Sequence, residues 1–221
     1  YGTSDTERAA ELAHCLRANL DNPHVAAVHV LAETEADAQL ALDVAAAGAS
    51  PHRAPKLVRT VVGARLTYEL AFAYAGERLG GHVVAVANAD IYFDHTANLL
   101  ADVATAGRLL PAVGAPTLLA LLRWEQTPWG SLRWVPRGDS QDAWVFRAPL
   151  DGASPSPFAV QLGTPRCDFR LAKVLEAGGV RVRNPTLFVH AIHVHANPAR
   201  HYQDSEQAVG DGSLVPIDVV L

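Results

Sequence analysis

Apolar and polar positions along this chain repeat with two periods, and the switches between them mark out its elements. Ala9, Leu12, Leu16 and Leu20 recur at helical spacing behind Ser4-Asp5-Thr6-Glu7, a capping box with Ser4 as N-cap and Glu7 three residues on. Asp21-Asn22-Pro23 stops that helix, because proline brings no N–H to the ladder. Val25 to Leu31 reads as a short buried strand, Glu33 to Ala47 as an Ala-rich helix closed by Gly48, and Leu57 to Val62 as a second strand. Thr67 caps a helix that carries Leu70, Ala71 and Tyr74 inward and ends at Gly80-Gly81. Val83 to Val86 follows as a strand buried on both faces, and His95 to Ala106 as a helix with Leu99, Leu100 and Val103 on one face. Such alternation predicts an α/β fold, a Rossmann-like and mostly parallel central sheet flanked by helices.

After Pro116 the pattern changes. Thr117 to Trp124 is an apolar strand, Ser131 to Val135 a hairpin partner, and Asp142 to Arg147 a third strand. Pro149 to Pro157 reads as a loop, and Asp168 opens a helix through Leu171, Val174 and Leu175 to Gly178-Gly179. Leu187 to His195 alternates as a strand, and Val215 to Leu221 adds an edge strand after a polar stretch. The C-terminal part is therefore expected to be smaller and antiparallel.

Composition changes this picture little. An apolar fraction of 49% in 221 residues supports one large domain with a sizeable core. A net charge of -5, with 18 scattered basic residues, argues against nucleic acid or an anionic membrane as partner. No run of about 18 apolar residues exists, so this segment carries no membrane span. Cys15 and Cys167 stand far apart and in no metal spacing, which leaves the redox compartment open. No methionine occurs, even at position 1, so the chain is expected to be a processed or excised piece.

Four constellations could carry chemistry. Asn88 and Asp90 follow the Val83–Val86 strand, where open α/β sheets bind ligands at the strand ends. Asp90 could hold a hard divalent cation and phosphate oxygens through it. Asp94 could join it, but reads better as the N-cap of the next helix. Asp139-Ser140-Gln141-Asp142 offers acceptors for sugar hydroxyls ahead of Trp144, which is either a stacking face or core. In Gly163-Thr164-Pro165-Arg166-Cys167-Asp168-Phe169-Arg170, Asp168 at a helix start is either a general base kept ionised by the dipole or a simple N-cap. Arg170 could bind a phosphate there. Finally, His190, His193 and His195 lie on one strand, with His193 and His195 sharing a face as a metal pair, and His201 follows.

Read together, these segments resemble a family of small GT-A-type glycosyltransferases of the nucleotide-diphospho-sugar transferase superfamily. The likeness runs through Cys15-Leu16-Arg17-Ala18-Asn19-Leu20-Asp21-Asn22-Pro23, Arg65-Leu66-Thr67-Tyr68, Ala87-Asn88-Ala89-Asp90-Ile91-Tyr92-Phe93-Asp94 and Leu122-Arg123-Trp124. It continues through Ser140-Gln141-Asp142-Ala143-Trp144-Val145-Phe146, the Gly163 to Ala172 stretch, His193-Val194-His195 and Arg200-His201-Tyr202. The resemblance implies one GT-A-like domain over 1–221, with a nucleotide-sugar-binding half (1–115) and an acceptor-side half (116–221). It implies transfer of a sugar from a nucleotide-diphosphate donor to a carbohydrate or other hydroxyl acceptor, with Mn2+ or Mg2+ held by Asp90, His193 and His195. Asp168 would be the base. Asn88, Arg65, Arg123, Ser140, Gln141, Asp142, Trp144 and Arg170 would contact donor or acceptor. Asp90→Ala is then expected to abolish metal-dependent stabilisation and leave the fold intact.

The chain departs from the family's pattern at four places. Asn88 stands where the first carboxylate of an Asp-x-Asp motif is usual, and Ala89 where serine is commoner. Arg166 and Phe169 replace a glycine and an asparagine. The opening strand that cradles the nucleotide base is expected upstream of residue 1, or else the donor pocket is incomplete. Two other function classes remain open at this stage. One is a catalytically silent nucleotide- or carbohydrate-binding module with the same fold. The other is a histidine-based metal hydrolase, which would need a third ligand near His193 and His195.

Overall fold

A computed structural model describes residues 6–48, 50–127, 130–134, 136, 140–150, 160–194 and 212–220. The fold is α/β, with mixed rather than mostly parallel sheets. Helix α1 (Thr6–Asp21) buries Leu12, Cys15, Leu16 and Leu20, the face its spacing dictates. Strands β1 (Val28–Ala32) and β2 (Leu57–Val61) pair in parallel, connected through α2 (Glu35–Ala46) and the short α3 (Arg53–Lys56). Val28, Val30 and Leu57 close that small layer against Leu16, Leu20, Ala41 and Ala45. Thr34 caps α2 by accepting from the Asp37 N–H, and Thr67 caps α4 (Tyr68–Arg78) by accepting from the Leu70 N–H. The inward face of α4 is Tyr68, Ala71, Phe72 and Ala75, whereas Leu70 is 42% exposed. The expected inward Leu70 is therefore corrected.

The largest sheet runs β3 (Val83–Ala87), β8 (Ala143–Arg147), β5 (Thr117–Leu121) and β9 (Arg181–Arg183). Only β5 and β9 pair in parallel; β8 is antiparallel to both its neighbours. Strands β5 and β8 are the doubly buried ones. Leu118, Ala120, Trp144 and Phe146 face α4 and α7 (Cys167–Ala177), while Leu119, Leu121, Ala143 and Val145 face Ile91, Phe93, Leu109, Leu110 and Val189. Strand β3 is partly exposed and sits at the sheet's edge. Its apolar run therefore marks a margin, not a centre. Tyr68 and Phe72 pack with Leu118 and Trp144 in one cluster, so the residues before and after Pro116 share a core.

A second sheet runs β4 (Ile91–Phe93), β10 (Ala191–His193), β6 (Arg123–Gln126) and β7 (Leu132–Trp134). The expected single strand from Thr117 to Trp124 breaks at Leu122, so β5 stays in the first sheet and β6 enters the second. The expected hairpin partner is β7, antiparallel to β6. Strand β4 lies at an edge, and α1 covers it. Asn19 Nδ2 donates to the Ile91 carbonyl (2.9 Å), Asn19 Oδ1 accepts from the Phe93 N–H (3.0 Å), and Asn22 Nδ2 donates to the Phe93 carbonyl (2.9 Å). These amides act as a substitute strand, since an edge leaves backbone groups to be satisfied.

Three other expectations change. The helix from His95 splits into a 3-10 turn (His95–Ala97), α5 (Asn98–Ala101) and α6 (Val103–Leu109), because Asp102 leaves the helical path and caps α6, its side chain accepting from the Thr105 N–H. Asp94 does cap the 3-10 turn, accepting from the Thr96 N–H. The strand from Leu187 shrinks to β10, and no strand forms over 212–220, where Val215 alone is driven into the core. No helix among the described residues is long and apolar enough to cross a membrane.

Candidate functional site

Four strand ends and two helices converge where the sheets meet. The β3–β8 ladder continues past Ala87 and Ala143, because the Asn88 N–H donates to the Asp142 carbonyl at 3.2 Å. That places the Asn88 side chain against Asp142, whose Oδ1 accepts from Asn88 Nδ2 at 3.2 Å. The Asp142 N–H is held from the other side by the Leu121 carbonyl at 3.0 Å. One turn on, Asp90 precedes β4, and its carbonyl accepts from the Val194 N–H beyond β10 (3.1 Å). The antiparallel register sets His193 opposite Ile91, so Asp90 Oδ2 and His193 Nε2 lie 3.2 Å apart. Residues 103 apart in sequence thus share one contact.

The contact belongs to a chain of charges. His193 Nδ1 lies 3.0 Å from Glu125 Oε2, and Glu125 Oε1 lies 2.8 Å from Arg123 Nε. The Arg123 guanidinium reaches Asp142 Oδ2 at 3.7 Å. On the opposite side, Arg8 from α1 pairs with Asp90 and, at 2.9 Å, with Glu11. Glu11, Asp90, Asp142 and His193 are all buried. Arg8, His193 and Arg123 supply three cations against Glu11, Asp90, Glu125 and Asp142, with Asp168 adding a fifth carboxylate nearby. Such an excess must be relieved by protons, by a bound cation or by donors from a ligand.

The titration behaviour follows. Burial opposes charge on His193, but its hydrogen bonds to Asp90 and Glu125 win and raise it to about 9. Burial likewise opposes charge on Asp90, yet His193 and Arg8 hold that carboxyl well below the usual range. Burial raises Asp142, with Arg123 and His193 only partly offsetting it. Asp168 rises to about 6, first through burial and then through the neighbouring Asp142 charge. The Cys15 thiol, buried near Asp90, is pushed up to about 12 and stays protonated.

The raised value of His193 is a stability statement. Its folded value of about 9 lies above the ordinary 6.5, so the pair contributes fully below pH 6.5 and fades as pH climbs through 9. At about 1.4 kcal/mol per unit, the contribution is of order 3 kcal/mol. Calorimetric melting across this range should show a fall in Tm towards alkaline pH. In His193→Gln that fall should flatten; an identical alkaline slope in the variant refutes the assignment.

Asp168 is not a helix cap. Arg166 occupies the N-cap of α7 with a left-handed backbone (φ 65°), and Asp168 follows as the second helical residue. Its Oδ2 accepts from the Gln141 N–H (2.8 Å) and its Oδ1 from the Phe169 N–H (3.0 Å). The helix dipole was expected to keep this group ionised; burial and Asp142 outweigh the dipole and lift it instead. Gln141 is buried and carries the link between Asp168 and Asp142 through its backbone. Ser140 precedes it, partly exposed. Asp139, His195 and His201 lie outside the described residues.

Trp144 is 1% exposed and meets Tyr68 edge-on at 6.0 Å, so of its two readings the core one holds, and the donor or acceptor contact that the resemblance implies for it is corrected. Trp144 lies on the face of β8 that packs against Tyr68, Leu118 and Leu171, and the core takes its large apolar body. Arg65 lies exposed in the loop before α4, outside the contacts that link the charged cluster. Arg170 lies one turn after Arg166 on α7, partly buried. His190 turns away from His193: its Nδ1 meets Asp94 Oδ2 at 3.0 Å, and its ring lies 4.6 Å from Trp124.

Sequence reasoning missed Arg8, Glu11 and Glu125. Glu11 falls beside Leu12 on the apolar face of α1, and a charge in that position is the signal that announces a buried partner. Arg123 and Glu125 share a face at i, i+2 of a strand, a pattern open to inspection before the fold was known.

Among the described residues, no three His, Cys, Asp or Glu side chains form a ready metal cage. Two buried oxygens, Asp90 Oδ1 and Asp142 Oδ2, nevertheless accept no hydrogen bond. A cation that bridges phosphates commonly takes only one or two carboxylates from the protein and the rest of its shell from substrate and water, so these oxygens fit one. Compared with known proteins, the chain matches no family model, and no curated sequence is significantly similar to it.

Proposed function

We propose that this chain is a glycosyltransferase of GT-A type, moving a sugar from a nucleotide-diphosphate donor to a hydroxyl acceptor with Mn2+ or Mg2+. The observation that carries this reading is the meeting of Asp90 with His193 beside an Asp90 oxygen that accepts no hydrogen bond, in a cluster whose Asp142 neighbours a carboxyl raised to about 6. A donor half and an acceptor-side half are supported by the α/β fold and by a charged cluster that draws residues from both sides of position 115.

Asp90 and His193, with His195 as the third candidate, would hold the cation, which when bound neutralises the charge of a leaving diphosphate. Arg8 and Arg123 are the fixed cations of the same cluster and would steady phosphate oxygens as they gain charge. Asp168 takes the acceptor's hydroxyl proton. The acceptor oxygen forms the new bond to the anomeric carbon, and the carbon–oxygen bond to the diphosphate breaks with its electron pair on the leaving oxygen. A base near 6 is largely ionised at neutral pH yet basic enough to receive that proton.

Asn88 favours one rival. Its amide donates to Asp142 in place of a second metal-binding carboxylate, which suits a silent nucleotide- or carbohydrate-binding module. Melting curves with a panel of nucleoside diphosphates, with and without Mn2+, test the first reading. A ligand at about 100 times its Kd stabilises by about 2.7 kcal/mol, which corresponds to a Tm rise of roughly 5–10 °C in a chain of this size. The rise should require nucleotide and Mn2+ together. No rise with any pair sinks the proposal; a rise without transfer or hydrolysis of any nucleotide sugar favours the module.

A further inference from the structure

Glu125 contributes to the cluster without being one of its expected ligands, and its position is fixed by backbone. Strand β6 leaves the first sheet at Leu122 and pairs in parallel with β10, so that Glu125 and His193 are register partners, as are Arg123 and Ala191. Both Glu125 oxygens are engaged, one by Arg123 Nε at 2.8 Å and the other by His193 Nδ1 at 3.0 Å. The imidazole is therefore pinned through Nδ1, with Nε2 turned to Asp90 at 3.2 Å. A ring flip would put Cδ2 and Cε1 where Nδ1 and Nε2 now stand and break both contacts.

We infer that Glu125 is a positioning residue: it accepts the Nδ1 proton of His193 and so keeps Nε2, whose own proton now faces Asp90, aimed at the place where a cation displacing that proton would sit. The inference rests on the metal-assisted reading above and deepens it. The chemistry is general. A histidine ligand whose other nitrogen donates to a carboxylate is fixed in tautomer and orientation, and loss of that carboxylate weakens metal affinity by about 10–100-fold. Arg123 holds the carboxylate in turn, so Asp142, Arg123, Glu125 and His193 form one relay of orientation across the two sheets.

The test is Mn2+ titration of the full chain, read from the paramagnetic resonance signal of free Mn2+. Asp90→Asn identifies the site by removing the uptake. Glu125→Ala should weaken Mn2+ binding by about 10–100-fold. Glu125→Gln keeps an acceptor for Nδ1 and should stay within about threefold of the unaltered protein, a rescue that loss of charge alone does not produce. Unchanged affinity in both variants overturns the inference, as does Glu125→Gln falling as far as Glu125→Ala. If the alanine variant fails to fold, nitrogen-15 spectra of the unaltered protein saturated with Mg2+ decide the matter. The proton should then sit on Nδ1, and a proton on Nε2 overturns the inference. A chain that takes up no Mn2+ at an Asp90-dependent site removes the metal reading and this inference together. Uptake that ignores Glu125 removes this inference only.

Discussion

Asp168→Asn should lower kcat by about 10²–10⁴-fold while leaving the Mn2+-dependent nucleotide shift in place. The substitution keeps size and keeps an oxygen to accept the Gln141 N–H, so α7 and the Gln141 backbone stay where they are. What it removes is a carboxyl near the cluster whose value, about 6, suits proton abstraction at neutral pH. Asp90 is held too acidic for that work, and Asp142 lies deeper, with Asn88 and Arg123 on its oxygens. The same assignment fixes the pH profile. The active form is the carboxylate, so the rate of the unaltered protein should fall as pH drops through about 6, and this limb should vanish in the residual rate of the variant. Steady-state kinetics across pH 4.5 to 8, on whichever donor the melting screen selects, would read both at about half-unit steps. Transfer within about threefold of the unaltered protein would falsify a base role for Asp168.

Asp90→Asn should abolish the Mn2+-dependent shift and also lower the stability of the free protein. An intact fold is the expectation for a variant when Asp90 serves only as a metal ligand. It is buried, and it faces both Arg8 and His193. Removing one member of a buried charge pair leaves the other unpaired and costs about 3–5 kcal/mol. The lower end applies, because Arg8 keeps Glu11 and His193 keeps Glu125. A loss of about 3 kcal/mol corresponds to a Tm drop of roughly 6–12 °C in a domain of this size. Adding Arg8→Leu to Asp90→Asn should restore part of it, since the stranded cation is gone, and the pair should be strongly non-additive. A Tm within about 1 °C of the unaltered protein, or full additivity, would mean that the Arg8–Asp90–His193 contacts carry no net energy.

How much of this was open to a reader of the chain alone varies with the distance over which each feature is decided. Helix α1, the Thr67 cap and the Asp94 cap follow from residues within a few positions of one another, and each forms as its local chemistry requires. Pairing is different. The Val83–Val86 run reads the same whether a strand lies at the middle of a sheet or at its margin, and only β8 docking on one side makes it an edge. Likewise Thr117 to Trp124 reads as one strand in the sequence; the departure of β6 into another sheet depends on β10, some seventy residues away.

The site divides the same way. Asp90, His193, Asp142 and Asp168 were visible because carboxylates and imidazoles beside apolar strands are conspicuous in any sequence. Glu125, Arg8 and Glu11 were not singled out, since a charged residue in a helix or a polar strand usually faces water. Contacts with Asp90 and His193 make them members of the cluster, and those contacts are a property of the packed whole. Burial reverses the sign at Asp168, where the short-range helix dipole gives way to desolvation and a neighbouring carboxylate. The order of elements, their caps and the chemical types available were thus determined by local sequence. Which strands pair, which charges meet and where each proton sits were decided only by the tertiary structure, because sheet register and dielectric environment arise from contacts between distant segments.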